Sequence, residues 1–120
     1  GTAPLNIVNR YLVGIKPIEP GFKKFSVNPR DNNIDSYEAI VPTVKGDIIL
    51  NKKTAKNSII YNLEFYGKMS AKVNLSYPGC NNLLLSSESG VSYYKGERVI
   101  LNDIEPGKHK FKLTCRDGIF

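Results

Sequence analysis

The stretch KHKFKLTC, residues 108–115, alternates between two kinds of side chain. His109, Phe111, Leu113 and Cys115 occupy every second position, and three lysines and a threonine lie between them. Successive side chains of a β-strand point to opposite faces of the sheet. The stretch therefore predicts a strand with one face on a core and one face in water.

The same period of two recurs along the chain after Gly21, in short segments separated by turn signals. The turn signals are the dipeptides Lys45-Gly46, Gly67-Lys68, Pro78-Gly79, Ser89-Gly90, Lys95-Gly96 and Pro106-Gly107. The segment Val91–Leu101 is interpreted as a hairpin that turns at Lys95-Gly96. About eight or nine short strands at regular spacing favour an all-β fold, an antiparallel and jelly-roll-like β-sandwich.

The pattern is helical before Pro20. Apolar side chains recur there three or four residues apart, at Leu5, Val8, Leu12 and Ile15. This spacing predicts one short helix over residues 4–13, which Gly14 would end. A helix so short needs a partner for its apolar face. We therefore predict two parts: residues 1–17, the end of a preceding helix and a linker, and residues 18–120, a C-terminal β-sandwich domain.

The net charge of +6 comes from 17 basic and 11 acidic residues. Ten of the lysines lie scattered at Lys23, Lys24, Lys52, Lys53, Lys56, Lys68, Lys72, Lys108, Lys110 and Lys112. We interpret them as the solvated faces of strands, and we expect neither a nucleic-acid partner nor a membrane partner. Cys80 and Cys115 are compatible with a disulfide or with two buried thiols, and the thiols are the favoured interpretation. The compartment stays open: periplasm, cell exterior and cytoplasm all fit.

No set of residues predicts catalysis, a metal site or a cofactor. His109 falls on the core side of its strand, which is typical of a half-buried structural histidine. Asp31, Asp35 and Glu38 lie in or beside one loop, where carboxylates commonly cap and turn the chain. Three tyrosines, Tyr66, Tyr93 and Tyr94, are weak candidates for sugar contact, because an exposed ring can stack on a sugar. Packing at a sheet edge is the favoured explanation for them.

Three motifs near the start carry a more specific signal. They are Gly14-Ile15-Lys16-Pro17, Pro20-Gly21-Phe22 and Asn28-Pro29-Arg30. Together they resemble the junction between the last helix of the (α/α)6 barrel and the C-terminal β-sandwich in bacterial alpha-L-rhamnosidase-like glycoside hydrolases. The stretch AIVPTVKGDI, residues 39–48, resembles the next two strands of that family. Phe22 and Phe25 would anchor the first strand against the barrel.

The resemblance implies that catalysis lies in a different domain of the parent enzyme. The family's general acid and general base are carboxylates of the barrel, which would precede residue 1, and the family needs no cofactor. Residues 1–17 would then end the last barrel helix. This chain is expected to be a non-catalytic accessory domain whose partner is its own catalytic barrel. The alternatives are a carbohydrate-binding module and an independent lectin-like domain. An exposed N-terminal helix would also favour self-association of the isolated chain.

Overall fold

The computed structural model describes residues 14–29 and 35–116, which form strands and one short 3-10 turn at Pro20–Phe22. The strands in chain order are β1 Ile15–Pro17, β2 Lys24–Val27, β3 Ser36–Thr43, β4 Gly46–Ala55, β5 Ser58–Phe65, β6 Ser70–Ser76, β7 Asn82–Ser87, β8 Gly90–Lys95, β9 Arg98–Ile104 and β10 Gly107–Cys115. The prediction of an all-β domain is confirmed. No helix in this part of the chain is long and apolar enough to cross a membrane.

The strands form two sheets that share one core. Four strands lie in the order β1-β2-β6-β9, and six lie in the order β3-β4-β5-β10-β7-β8. Every pairing is antiparallel except that of β2 with β6. The architecture is therefore sandwich-like and rich in antiparallel pairs, as predicted, with one parallel pair that the alternation of side chains does not reveal.

The core consists of the inward positions of both sheets. Its largest fully buried members are Ile15, Phe25, Val27, Val41, Ile48, Leu50, Leu63, Phe65, Leu75, Leu83 and Leu113. Phe25 of the smaller sheet meets Phe65 of the larger one edge to face, with ring centroids 4.9 Å apart. Phe25 thus joins the two sheets, and the expectation that it anchors the strand against a barrel is wrong.

All six predicted turns lie at connections between consecutive strands. One of them, Lys95-Gly96, joins two strands that do not pair with each other. β8 pairs with β7 in the larger sheet, whereas β9 pairs with β6 in the smaller sheet. The prediction of a hairpin at Lys95-Gly96 is therefore wrong, because this connection crosses from one sheet to the other. The turn is held by Gly96 N–H, which donates to Asn81 O at 2.6 Å.

The predicted N-terminal helix over residues 4–13 lies outside the described residues. Ile15, which the sequence pattern placed on the apolar face of that helix, is instead in β1 and fully buried in the core. Gly14 has φ +65°, and a Cβ atom there would lie 1.8 Å from Asn28 O. Only glycine fits this close crossing of two backbones. The division at residue 17 remains a prediction, although the first strand begins before it.

Cys80 and Cys115 form a disulfide, with their Cα atoms 5.9 Å apart. The preference for two free thiols is therefore wrong. The bridge ties the connection between β6 and β7 to the last residue of β10. The sequence pattern did not show this because the two cysteines are 35 positions apart and only the pairing of β10 with β7 brings them together.

Candidate functional site

The outer face of the six-stranded sheet carries a depression with many polar side chains over β4, β5 and β10. The depression has a volume of about 180 Å³ and is lined by Asn51, Asn62, Leu63, Glu64, Glu88, Lys108, His109 and Lys110. Asn51 of β4, Asn62 of β5 and Lys110 of β10 are direct cross-strand neighbours, so the antiparallel registers place them in one row. Glu64 and Glu88 are the two carboxylates of this site.

Both carboxylates are engaged by their own surroundings. Glu88 lies beyond the end of β7, where its Oε2 accepts the Lys110 N–H at 3.2 Å and its Oε1 lies 3.4 Å from His109 Nδ1. Glu64 accepts a hydrogen bond from the Tyr66 hydroxyl. Partial desolvation, together with this bond and the charge of Glu64, raises the pKa of Tyr66. Both acids therefore already have partners within this domain.

His109 is half-buried, as its position in the alternation predicts. Its Nε2 lies 2.6 Å from Glu105 O, and its ring stacks on Phe111 with centroids 6.1 Å apart and planes 8° apart. Both ring nitrogens face oxygen atoms, and a ring face packs on the core. These contacts give the histidine a structural role. None of them is with a nucleophilic side chain, which a catalytic histidine would need as a partner.

The structure describes two of the three carboxylates singled out by sequence, Asp35 and Glu38. Asp31 lies outside the described residues. Asp35 precedes β3, and its main-chain carbonyl accepts the Thr54 N–H at 2.8 Å. Glu38 lies on the outer face of β3, two strands away from Glu64. Within residues 14–29 and 35–116, no group of three or more His, Cys, Asp or Glu side chains is arranged to hold a metal ion.

The structure separates the three candidate tyrosines. Tyr93 is 73% exposed, whereas its neighbour Tyr94 is half-buried against the core, as expected for adjacent strand positions. Tyr93 lies in the same cross-strand row as Ser58 of β5. Tyr66 is eight residues beyond Ser58, roughly 26 Å further along the strand direction. Tyr66 and Tyr93 therefore cannot contact one sugar ring together.

A second exposed feature is apolar and lies at the end of the sandwich where β3 turns into β4. We name Ile18, Phe22, Pro42 and Val44 the turn-end patch. Gly21, Phe22, Pro42, Thr43 and Val44 line a single open depression. Ile18 is 48% exposed and Val44 is 88% exposed. Nothing in the sequence pattern indicated this patch beyond the Pro20-Gly21-Phe22 motif, since each residue is unremarkable alone.

A third feature, which the sequence analysis also missed, lies inside the sandwich. Lys52 was interpreted as a solvated lysine, but it is only 6% exposed. The registers place it between Tyr37 of β3 and Tyr61 of β5 on the inner face. The Tyr37 hydroxyl is buried without a hydrogen-bond partner, and burial raises the pKa of Tyr37 to about 12. The alternation Ile48, Leu50, Lys52 was the available signal.

The fold defines this chain as a sandwich-like all-β domain, and comparison with known proteins gives the family. The model of the bacterial alpha-L-rhamnosidase C-terminal domain matches residues 14–78, which is more than half of the 120 residues. The chain belongs to this family. The match begins at the Gly14-Ile15-Lys16-Pro17 motif and contains the other motifs of the resemblance. No match was found among curated proteins.

Two solved structures show the same fold. The structure of alpha-L-rhamnosidase from Dictyoglumus thermophilum has a TM-score of 0.68 at 15% identity, and the alignment covers 86% of this chain and 12% of that chain. The structure of Streptomyces avermitilis alpha-L-rhamnosidase complexed with L-rhamnose has a TM-score of 0.61 at 15% identity, covering 84% of this chain and 10% of that chain. This chain thus spans only about a tenth of the length of either enzyme.

Proposed function

We propose that this chain is a non-catalytic accessory domain of a larger glycoside hydrolase of the alpha-L-rhamnosidase type. In this proposal it packs on the catalytic (α/α)6 barrel of its parent chain and stabilises it. The observation that carries the proposal is the family match over residues 14–78. The small share of each neighbouring enzyme that the domain covers supports the view that the chemistry lies elsewhere in the parent.

The described carboxylates support the absence of catalysis in this domain. Hydrolysis of a glycosidic bond needs an acid and a second carboxylate that both face the scissile bond. Glu64 and Glu88 line the same depression, but Glu64 holds Tyr66, and Glu88 holds Lys110 and His109. Releasing Glu88 for catalysis would leave the Lys110 amide without its acceptor.

The test compares the parent enzyme with variants of this depression. Glu64→Gln and Glu88→Gln, each made in the full-length parent, are expected to leave kcat for a chromogenic rhamnoside within about twofold of wild type, because neither group would touch substrate. The isolated 120-residue chain is expected to release no aglycone. A fall of kcat by two orders of magnitude or more in either variant, with the sandwich still folded, would assign the chemistry to this domain.

A second arm tests the stabilising role. Removing residues 18–120 from the parent is expected to lower the thermal midpoint of the remaining barrel, because the apolar surface that the domain covers would become exposed. Calorimetry of the intact and shortened enzymes measures the difference. Equal midpoints would show that the domain does not stabilise the barrel.

A carbohydrate-binding role for Tyr66, Tyr93 and Tyr94 has less support. Tyr93 is the most exposed of the three, but sugar-binding sites combine an aromatic ring with convergent polar groups, and Tyr66 is too far away to contribute. Titrating the chain with L-rhamnose and following tyrosine fluorescence tests this role. Saturable binding that Tyr93→Ala removes would establish it.

Self-association through the N-terminal segment also remains a proposal. Leu5, Val8 and Leu12 lie outside the described residues, and Ile15 belongs to the sandwich core. Sedimentation of the whole chain and of a form that begins at Gly14 compares the two directly. A concentration-dependent dimer in the first and a monomer in the second would support this mode of association, and two monomers would end it.

A further inference from the structure

Val44 occupies an unusual position for a large apolar side chain. It lies at the tip of the hairpin between β3 and β4, where residues such as Gly, Asn, Asp, Ser and Pro are common, and it is 88% exposed. A single exposed valine needs no explanation by itself. Here exposed Pro42 and half-buried Phe22 line the same depression as Val44, and Ile18, four residues before Phe22, is exposed as well.

The hairpin tip is held in one conformation. The Thr43 hydroxyl donates to Gly46 O at 2.6 Å and accepts the Lys45 N–H at 3.1 Å. On its other side the tip packs against the turn between β5 and β6, where a Cβ atom at Gly67 would lie 3.0 Å from Lys45 O. Because its backbone is fixed in this way, Val44 is presented to the outside at little cost in conformational entropy on binding.

Phe22 is also held in place. It ends the 3-10 turn with φ +60°, a left-handed region that non-glycine residues rarely adopt because it costs free energy. One side of its ring packs near Phe25, with centroids 6.4 Å apart, while the residue remains partly exposed beside Gly21 and Pro42. Backbone strain of this kind persists where the surroundings fix it, and it often marks a functional surface.

We propose that the turn-end patch is the face by which this domain docks on an apolar surface of the preceding catalytic barrel. This inference rests on the proposed function. Position in the chain favours this occupant, because the neighbouring enzymes have about nine-tenths of their length outside this domain. Ile18 and Phe22 belong to the first residues of the family match. Ile18 lies only four residues, at most about 14 Å of chain, after Gly14, where the match begins.

Other exposed apolar side chains are less suited to this partner. Val91 and Tyr93 lie on β8, at the far edge of the six-stranded sheet, and Ile100 lies on β9. These positions are more than 70 residues after Gly14 in the chain. Val91 is 58% exposed and provides a matched control for Val44, since the same residue type is changed on a different face.

The experiment introduces Val44→Asp and Val91→Asp separately into the full-length parent enzyme. An aspartate in a docked interface is desolvated without a partner, so Val44→Asp is expected to lower the thermal midpoint by at least about 2 °C. It should also make the exposed connection at residues 18–23 open to limited proteolysis. Val91→Asp should leave both readouts as in wild type. Hydrogen exchange of β5 and β10 amides shows that the sandwich of each variant remains folded.

The outcomes distinguish an error in the docking face from an error in the proposed function. If Val44→Asp behaves as Val91→Asp does, the turn-end patch is not the docking face. If Val91→Asp alone loosens the parent, the domain docks through β8, and the proposed function stands without this inference. If the shortened parent described above is as stable as the intact enzyme, the proposed function itself fails.

The disulfide independently supports a second inference, about the compartment. Cys80 is 3% exposed, and its sulfur is bonded to Cys115 at the end of β10. Structural disulfides form and persist in oxidising surroundings, while glutathione and thioredoxin keep cytosolic thiols reduced. We infer that the parent enzyme is exported from the cytoplasm and that this bond forms after export.

The test uses the parent enzyme from its own cells. Cell fractionation is expected to place it in the periplasm or the medium, and a thiol-alkylating reagent should leave Cys80 and Cys115 unmodified until the protein is unfolded and reduced. Peptide mass spectrometry reads both sites. Alkylation of either cysteine before reduction, or recovery of the enzyme in the cytoplasmic fraction, would overturn the inference.

Discussion

Removing the disulfide should cost this domain a large part of its stability. The bond closes a segment with a sequence separation of 35 residues. In the chain-entropy description, that loop length restricts the unfolded state by about 13 cal/mol/K, or about 4 kcal/mol at 25 °C. Domains of this size are stable by roughly 5–15 kcal/mol. We therefore expect the Cys80→Ala/Cys115→Ala variant to keep its fold while losing a large fraction of its stability.

Urea unfolding followed by far-UV circular dichroism measures this loss. The double variant and the reduced wild-type chain should unfold at similar urea concentrations, both well below the oxidised wild type. Reductant should not affect the double variant, which controls for other effects of the reagent. A change in unfolding free energy below about 1 kcal/mol would refute the reasoning, because it would mean that the unfolded chain is not restricted by the bond.

Three further predictions concern single residues. Tyr37→Phe is expected to be neutral or to stabilise the chain by roughly 1 kcal/mol in urea unfolding, since it removes a buried hydroxyl without a hydrogen-bond partner. The control variant Tyr93→Phe, at an exposed position, should not change the unfolding free energy. The folded-state pKa of Tyr37, about 12, lies above its ordinary value of 10.0, so the unfolded chain loses this proton first and stability should fall as pH rises from 10 to 12. That fall, roughly 2–3 kcal/mol at most, should be absent from Tyr37→Phe, and identical slopes for the two chains would contradict it. Gly14→Ala should destabilise the chain far more than Gly21→Ala. Both glycines have φ near +70°, so the backbone strain is similar, but only at Gly14 does the new Cβ meet a backbone oxygen. Equal midpoints of the two variants in thermal unfolding would refute this prediction.

The local organisation of this chain could be predicted because it follows from period and turn chemistry. The alternation in residues 108–115 gives the two faces of β10, and the glycine-containing dipeptides mark six of the nine connections between consecutive described strands. The pairing of the strands, in contrast, could not be predicted from these signals. Nothing in residues 91–101 distinguishes a hairpin from a crossing between sheets, since both need a turn at Lys95-Gly96 and both give alternating strands. The parallel pairing of β2 with β6 is hidden for the same reason.

The candidate sites were less predictable than the strands because they depend on what the fold brings together. In the sequence Lys52 is one of ten scattered lysines, and only the register with Tyr61 shows that it points inward. Glu64 and Glu88 are 24 positions apart and meet at one depression only because β10 lies between β5 and β7. The family motif at Pro20-Gly21-Phe22 was visible, but its exposed neighbour Val44 comes from a different hairpin.

The disulfide and the proposed docking patch lie at opposite ends of the sandwich. Cys115 N–H donates to Asn57 O, so the disulfide lies beside the turn between β4 and β5. Val44 lies beside the first residue of β4, and β4 contains ten residues, which span roughly 33 Å. At that separation, changes at the two ends should affect unfolding almost independently. An aspartate at Val44 can therefore disturb docking while the disulfide and the core keep the domain folded, which is why this position, and not Phe22 beside the core, tests the docking face most directly.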